Sequence, residues 1–228
     1  MYRNYGKRLF DFVVSASALL LLAPLMAVLA VLVRFKLGSP VLFCQERPGK
    51  DGKPFVLKKF RSMTDARDVN GEPLSDAERL TPFGKLLRAT SLDELPELWN
   101  VLKGDMSLVG PRPLLMRYLP YYSERESQRH AVRPGLTGWA QINGRNEVGW
   151  NERLEMDVWY VENLSLWLDL KILGLTVVKV LTREKVHVDS RSIILDFDVE
   201  RKQLAGFDEL WCADLSHADL THAELSRD

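Results

Sequence analysis

The sequence predicts an α+β protein that is mainly helical, carries a small β-hairpin and begins with an apolar segment. Residues 12–33 contain no charged side chain, and residues 75–185 repeat apolar residues at helical spacing. Between them, two short strand patterns flank a turn rich in proline and glycine. A chain of 228 residues can bury one ordinary core, so we expect one main domain with appendages.

The apolar run is long enough, at about 1.5 Å per residue, to cross a hydrocarbon layer of roughly 30 Å. It is longer than the apolar part of a signal peptide, and no small-residue cleavage pattern follows it. Basic residues flank it on both sides: Arg3, Lys7, Arg8, Arg34 and Lys36. Because such residues prefer the cytoplasmic side and Pro24 disrupts helical bonding, we predict a re-entrant helix-break-helix over residues 1–38. A simple transmembrane helix is the alternative.

Residues 41–45 and 55–60 are predicted to form the hairpin around the turn at 48–52. Helices are predicted at 75–80, 83–88, 92–102, 114–122, 124–130, 151–161 and 166–185. The last two mix aromatic and aliphatic residues with lysine and arginine, which is typical of amphipathic helices in a lipid headgroup region. Ordinary core packing is the alternative interpretation of that pattern.

The net charge of zero hides an asymmetry. Residues 187–228 contain four basic and ten acidic side chains, so the rest of the chain has a net charge of +6. We predict three parts: a membrane helix at 1–38, a main domain at 39–186 and an acidic tail at 187–228. Three five-residue units at 213–227 resemble pentapeptide repeats, although fifteen residues supply less than one coil and a short amphipathic helix is an alternative. A basic body suits lipid headgroups or a phosphorylated substrate, and no nucleic-acid partner is expected.

Two adjacent carboxylates, Asp93 and Glu94, follow Ser91 at a predicted helix start. A capping box between Ser91 and Glu94 would explain them without catalysis. Several cations occur nearby in strands or rigid turns, where a fixed guanidinium group binds phosphate well. These cations are Lys58, Lys59, Arg61, Arg88, Arg112, Arg133 and Arg145. The combination indicates phosphate chemistry at a bilayer surface.

Five segments, Lys59–Met63, Ser91–Leu98, Asn100–Ser107, Val109–Pro113 and Arg133–Gln141, together resemble the bacterial sugar transferase family. The resemblance runs from about Tyr2 to Lys185. More narrowly, the chain resembles the small monotopic polyprenyl-phosphate phosphoglycosyl transferases that begin glycoconjugate assembly. One departure is the pair Ala23-Pro24, where the family commonly has Ser-Pro.

The resemblance implies transfer of a sugar 1-phosphate from a UDP-sugar to undecaprenyl phosphate, with release of UMP. It implies that Asp93 is the nucleophile and also meets Mg²⁺, and that Glu94 helps to position or deprotonate the lipid phosphate. It places the domain on the cytoplasmic face of the bacterial inner membrane, and a homodimer stays open.

Electrostatics agrees with this assignment, because two unit charges 4 Å apart repel by about 4 kcal/mol at an effective dielectric constant near 20. We therefore expect Lys59, Arg88, Arg112 and Arg145 to lie near the phosphates. A helix starting beneath Asp93 would lower the pKa of its carboxyl group. Two other functions stay open: a glycosyltransferase that releases UDP, and a membrane-anchored scaffold for pathway enzymes.

Overall fold

The structure is a computed structural model that describes residues 2–144, 148–182 and 195–204. The chain divides into two compact units, Met1–Ser192 and Ile193–Asp228. In the second unit, residues 197–204 are helical. Arg145 and the five-residue units at 213–227 lie outside the described residues, so the predictions made for them stay predictions.

Helices dominate the first unit. The α-helices in chain order are α1 (Lys7–Leu37), α2 (Asp76–Arg79), α3 (Pro82–Ala89), α4 (Glu97–Lys103), α5 (Glu124–Ser127), α6 (Trp139–Asn143), α7 (Trp150–Glu162) and α8 (Leu166–Leu181). A π-helical turn at Tyr2–Gly6 precedes α1, and shorter 3-10 segments occupy Lys50–Gly52, Leu92–Glu94, Met116–Tyr121 and Gln128–Ala131. The helix predicted at 114–122 is therefore a 3-10 segment, which contains Pro120. The mainly helical class with small sheets is confirmed.

The predicted hairpin is also confirmed. Strands β1 (Leu42–Pro48) and β2 (Pro54–Phe60) pair antiparallel, with Leu42 opposite Phe60. A second sheet, which the sequence did not predict, pairs β3 (Ser107–Val109) with β4 (Gly135–Thr137) in parallel. Its strands have three residues each, too few to show an alternating pattern.

The apolar segment forms one helix, α1, which continues through Pro24. The predicted break at Ala23-Pro24 is therefore not confirmed, since the structure assigns helix on both sides of the proline. By length and composition α1 could cross a membrane, with a mean hydropathy of 2.7 in its most apolar window. One stripe of the helix packs on the domain along its whole length; its apolar members are Phe10, Val14, Ala18, Leu19, Leu22, Met26, Leu29, Ala30, Val33 and Leu37.

Polar contacts fasten the first turns of α1 to the domain. Lys7 Nζ lies 2.7 Å from Asp169 Oδ2 of α8, and both side chains are buried. Arg8 donates from Nη1 and Nη2 to the carbonyl oxygens of Val101 and Leu102, each at 2.6 Å. Because these are charge-assisted bonds, the start of α1 is fixed against α4 and α8.

The opposite face of α1 and one face of α8 expose large apolar side chains. Leu20 and Phe35 of α1 are 82% and 83% exposed, and Trp167 of α8 is 78% exposed. The other face of α8 buries Leu168 and Ile172 in the core, so core packing explains half of the pattern seen in the sequence. The predicted headgroup location of α8 stays a prediction.

A buried amide joins the β1–β2 sheet to α4, the helix that follows the two adjacent acids. Asn100 of α4 is fully buried, and its Nδ2 donates to the carbonyl oxygen of Val56 at 2.7 Å. Its Oδ1 accepts a hydrogen bond from the amide of Lys58 at 3.2 Å. These bonds hold β2 beside α4 and thereby bring Lys59 next to the acidic segment.

Candidate active site

The two adjacent acids lie in a tight turn before α4. Ser91 adopts a left-handed conformation with φ 54°, and Leu92–Glu94 form a 3-10 turn. The capping box that was the alternative to catalysis is not formed, because the Ser91 side chain makes no capping hydrogen bond. Capping boxes occur instead at Ser75 with Glu78 and at Ser123 with Glu126. The predicted helix start is also displaced, because α4 begins at Glu97.

Two cations converge on Glu94. Lys59 Nζ on β2 lies 2.7 Å from Glu94 Oε1, and Arg112 Nη2, in the turn after β3, lies 2.8 Å from the same oxygen. Lys59 Nζ also lies 3.0 Å from Glu97 Oε1 on α4. Three chain segments therefore meet at one cluster of opposite charges, as expected for Lys59 and Arg112.

Arg88 is the third predicted phosphate neighbour that the structure describes. It lies on α3 and donates from Nε to the hydroxyl of Ser62 at 2.9 Å. Its charge acts on Asp93, where it lowers the pKa. The structure therefore brings Lys59, Arg88 and Arg112 to the acidic turn, whereas Arg145 lies outside the described residues.

Asp93 is a buried acid, only 7% exposed. Burial and the charge of Glu94 raise the pKa of Asp93 to about 6, against the opposing charges of Lys59 and Arg88. The prediction of a lowered pKa was wrong because no α-helix begins beneath Asp93 and because the acid is removed from water. At pH 7 an acid with this pKa is still mostly ionised.

The pKa of Glu94 is shifted in the opposite direction, below the usual value for a glutamate. Burial alone would raise its pKa, but the charges of Arg112 and Lys59 outweigh that effect and lower the pKa of Glu94 to about 2. A carboxylate with so low a pKa is a weak base at neutral pH. The two ion pairs and the low pKa therefore indicate that Glu94 positions the two cations, and they argue against the expected role in deprotonation.

Glu97 is a site residue that the sequence analysis did not single out. It is 2% exposed, and burial raises its pKa to about 7 against the charge of Lys59. Although Lys59 lies within ion-pair distance, Glu97 Oε1 has no hydrogen-bond partner among the described residues. The sequence feature that could have identified Glu97 is its register, because it lies on the same face of α4 as buried Asn100 and Val101.

Two other cations from the sequence analysis support loops instead of the site. Arg133 donates from Nε to the carbonyl oxygen of Gly104 at 2.7 Å. Arg61 donates to the carbonyl oxygens of Met63 and Ser39 at 2.9 and 2.6 Å. Each guanidinium group satisfies backbone acceptors, so a rigid turn beside an arginine did not by itself indicate phosphate binding.

The sequence also offers five polar residues as candidates for choosing the sugar, namely Asn143, Arg145, Asn146, Glu147 and Asp157, and the structure describes two of them. Asp157 is buried in an ion pair with Arg129, at 2.7 Å between Oδ2 and Nη2, and is removed from solvent. Asn143 is exposed at the end of α6. The other candidates, at 145–147, lie outside the described residues.

The donor set at the acidic turn is compatible with Mg²⁺. Among the described residues, no group of three or more metal-ligating side chains occurs. Mg²⁺ is commonly bound by one or two carboxylates together with substrate phosphates, so it does not need such a group. Glu94 already holds both nearby cations, whereas Asp93 forms no ion pair within the described part of the chain. Asp93 is therefore the residue that fits a metal shared with a diphosphate.

Fold and site together define a domain that holds a cluster of acids and cations and also exposes apolar helix faces. Comparison with known families identifies it further: the model of the bacterial sugar transferase family matches residues 2–183. The chain belongs to this family, and the predicted resemblance and the prediction of a transferase are confirmed.

Several relatives are similar over most of this chain. An uncharacterized sugar transferase, EpsL, of Bacillus subtilis (strain 168) is 58% identical over 181 residues, which cover 79% of this chain and 90% of the relative. The UDP-glucose:undecaprenyl-phosphate glucose-1-phosphate transferase of Klebsiella pneumoniae is 46% identical over 76% of this chain. The undecaprenyl-phosphate galactose phosphotransferase of Salmonella typhimurium (strain LT2) is 42% identical over 81% of it. The match spans only 39% and 42% of the last two relatives.

Proposed function

We propose that this chain transfers a sugar 1-phosphate from a UDP-hexose to undecaprenyl phosphate, as the first membrane step of glycoconjugate assembly. The observation that carries the proposal is the division of labour between two adjacent acids. Glu94 binds Lys59 and Arg112, while Asp93 is buried beside them with a pKa of about 6 and no ion pair among the described residues. Family membership supports the same reaction class.

In the first step, an Asp93 carboxylate oxygen attacks the phosphorus that is bonded to the sugar. A bond forms between that oxygen and phosphorus, the bond from phosphorus to the bridging oxygen breaks, and UMP leaves with the electron pair. The product is a phosphosugar ester of Asp93. A burial-raised pKa makes an ionised carboxylate a stronger nucleophile than an ordinary aspartate, since basicity and nucleophilicity rise together.

Lys59, Arg88 and Arg112 receive the diphosphate in this proposal. Arg112 is partly exposed and lies 2.8 Å from Glu94, so its guanidinium is oriented before the substrate arrives. Such fixed donors stabilise charge that develops on the leaving phosphate without further reorganisation. Mg²⁺, bound with the diphosphate at Asp93, would supply additional neutralisation of the phosphate oxygens.

In the second step, a phosphate oxygen of undecaprenyl phosphate attacks the same phosphorus, and the bond to Asp93 breaks. The carboxylate is regenerated, and the products are undecaprenyl-diphosphate-sugar and free enzyme. A phosphate monoester has a second pKa near 6, so the acceptor is mostly dianionic at neutral pH. No strong base is then required, which agrees with the low pKa of Glu94.

The exposed apolar faces of α1 and α8 support a location on a lipid surface. We propose that α1 is re-entrant and keeps the domain on the cytoplasmic face of the inner membrane. Support comes from the packed stripe of α1, which contacts the domain from Phe10 to Leu37. A helix that crossed the bilayer away from its domain would leave most of that length without such contacts.

Intact-protein mass spectrometry tests the proposed reaction directly. The purified protein is incubated with Mg²⁺ and UDP-glucose or UDP-galactose, without lipid. We expect a sugar-phosphate adduct in the wild type and in Asp76→Asn, an exposed acid on α2, and none in Asp93→Asn.

The released nucleotide distinguishes this reaction from its alternatives. UMP release supports the proposal, whereas UDP release without an adduct would identify a glycosyltransferase. If every UDP-sugar is inert and Asp93→Asn retains full function in cells, the chain acts as a scaffold and the proposal is wrong.

A further inference from the structure

The turn that carries Arg112 is held by its carbonyl groups. Two of its residues, Pro111 and Pro113, have no amide hydrogen to donate. Three successive carbonyl oxygens instead accept hydrogen bonds: Pro111 from the Gly135 amide at 3.0 Å, Arg112 from Arg129 Nη2 at 2.7 Å, and Pro113 from Arg47 Nη1 at 3.4 Å. The contact from Arg129 is the shortest of the three and is made directly to the residue whose side chain reaches Glu94.

Arg129 is itself fixed inside the protein. Its exposed fraction is 2%, and its Nη2 and Nε donate to Asp157 Oδ2 at 2.7 and 3.1 Å. Asp157 lies on α7 and is 3% exposed. The ring of Tyr122 lies against the guanidinium, 5.6 Å from its centroid. Nη2 is therefore shared between a buried carboxylate and the backbone of the Arg112 turn.

We infer that Arg129 and Asp157 are positioning residues for Arg112: the buried ion pair holds the carbonyl of Arg112, and through it the guanidinium that faces Glu94 and the substrate diphosphate. Asp157 fixes the plane and depth of the Arg129 guanidinium through two bonds to one oxygen. Arg129 transmits that position to the turn through Nη2. Neither residue needs to touch the substrate, since both lie beneath the turn.

A purely structural role would be a different finding. Removing one partner of any buried ion pair destabilises a protein, because the other charge stays buried without compensation. A positioning role adds that the loss of activity depends on Arg112. Once the Arg112 guanidinium has been removed, displacing its turn causes little further loss of activity. The effects of changing the buried pair and of changing Arg112 are then not additive.

The test is a double-mutant cycle in the full-length protein. Asp157→Asn keeps the shape of the side chain and removes its charge, and Arg129→Lys keeps the charge and removes the forked donors. Each is made in the wild-type and the Arg112→Lys backgrounds. Val158→Ala, at the neighbouring fully buried position of α7, controls for lost stability without a change of charge.

Two measurements are made at a temperature where all variants are folded. One is kcat/KM for UMP release from UDP-hexose, which rests on the proposed function. The other is the dissociation constant of Mg²⁺-UDP, which depends on phosphate binding whichever reaction the enzyme catalyses. If the wild type releases no UMP, the proposed function is wrong. The double-mutant cycle measured by Mg²⁺-UDP binding still tests whether Arg129 and Asp157 position Arg112.

We expect Asp157→Asn to lower kcat/KM about 10- to 100-fold, the effect of misplacing a substrate-positioning group. Binding of Mg²⁺-UDP should weaken about tenfold, as for one impaired charge-assisted hydrogen bond. In the Arg112→Lys background both effects should shrink below about threefold. Equal losses in the two backgrounds, or equal losses in Val158→Ala at a matched unfolding midpoint, would overturn the inference. Should Asp157→Asn fail to fold, Arg129→Lys decides by the same criteria.

Discussion

The raised pKa of Asp93 predicts how the first half-reaction depends on pH. With a pKa of about 6, the carboxylate is about 90% ionised at pH 7 and about 10% ionised at pH 5. The rate of adduct formation should therefore fall about tenfold over this range, because only the ionised form attacks. An aspartate with an ordinary pKa near 3.8 would be more than about 90% ionised at pH 5, so the rate of adduct formation would hardly change between pH 7 and pH 5. The raised pKa corresponds to about 3 kcal/mol of differential stabilisation of the neutral acid.

The assay is the first turnover of UMP, measured from pH 4.5 to 8 without lipid, since the acceptor phosphate titrates in the same range. Replacing Glu94 with glutamine removes the second cause of the raised pKa and should move the acidic limb to lower pH. Glu97 also titrates near this range, with a pKa of about 7, so Glu97→Gln is the control and should leave the limb near pH 6. A flat profile between pH 5 and 7, or a limb that disappears with Glu97→Gln, would refute the assignment to Asp93.

Three further predictions concern the fold and the metal. Leu154→Ala removes a fully buried side chain of α7 and should lower the free energy of unfolding by about 2–5 kcal/mol in chemical denaturation, and a loss below about 1 kcal/mol would contradict the packing. Gly135→Ala would place a Cβ 2.1 Å from the Gly110 amide nitrogen and should separate the parallel strands. Gly174→Ala in α8, where the added Cβ would meet no atom within 4 Å beyond its own helix backbone, should stabilise by up to about 1 kcal/mol; equal unfolding midpoints for the two variants would contradict both expectations. EDTA should stop UMP release. It should leave the circular dichroism spectrum unchanged, because the described residues contain no structural metal group, and a loss of helical signal would contradict this expectation.

Local patterns predicted much of the fold. The hairpin followed from two strand patterns around a turn rich in proline and glycine, and the structure pairs these two strands antiparallel. The long helices α7 and α8 followed from apolar spacing. The parallel pair of β3 and β4 could not be found in this way, because it joins residues 28 positions apart through three-residue strands. Such a pairing depends on close approach at Gly135, which only the three-dimensional arrangement reveals.

The candidate site was predicted in its membership more than in its chemistry. The sequence placed Lys59, Arg88 and Arg112 near two acids, and the structure brings them together. It did not show that Ser91 turns left-handed, which removes the capping box. The direction of the Asp93 pKa was also missed, since burial depends on tertiary packing and not on neighbours along the chain.

The pairing of acids and cations has a consequence for selectivity. At pH 7 Glu94 is fully ionised and Asp93 mostly so, while Glu97, with a pKa of about 7, is about half ionised, so the three acids offset most of the positive charge of Lys59, Arg88 and Arg112. The resting enzyme therefore attracts small free anions such as inorganic phosphate less than three unpaired cations would. Glu94 engages Lys59 Nζ and Arg112 Nη2 and leaves their other N–H groups for a ligand, so the donors stay oriented while a ligand binds. A multiply charged diphosphate is attracted to such partly neutralised donors more strongly than a lone monoanion, so the acid that orders the donors also favours highly charged ligands.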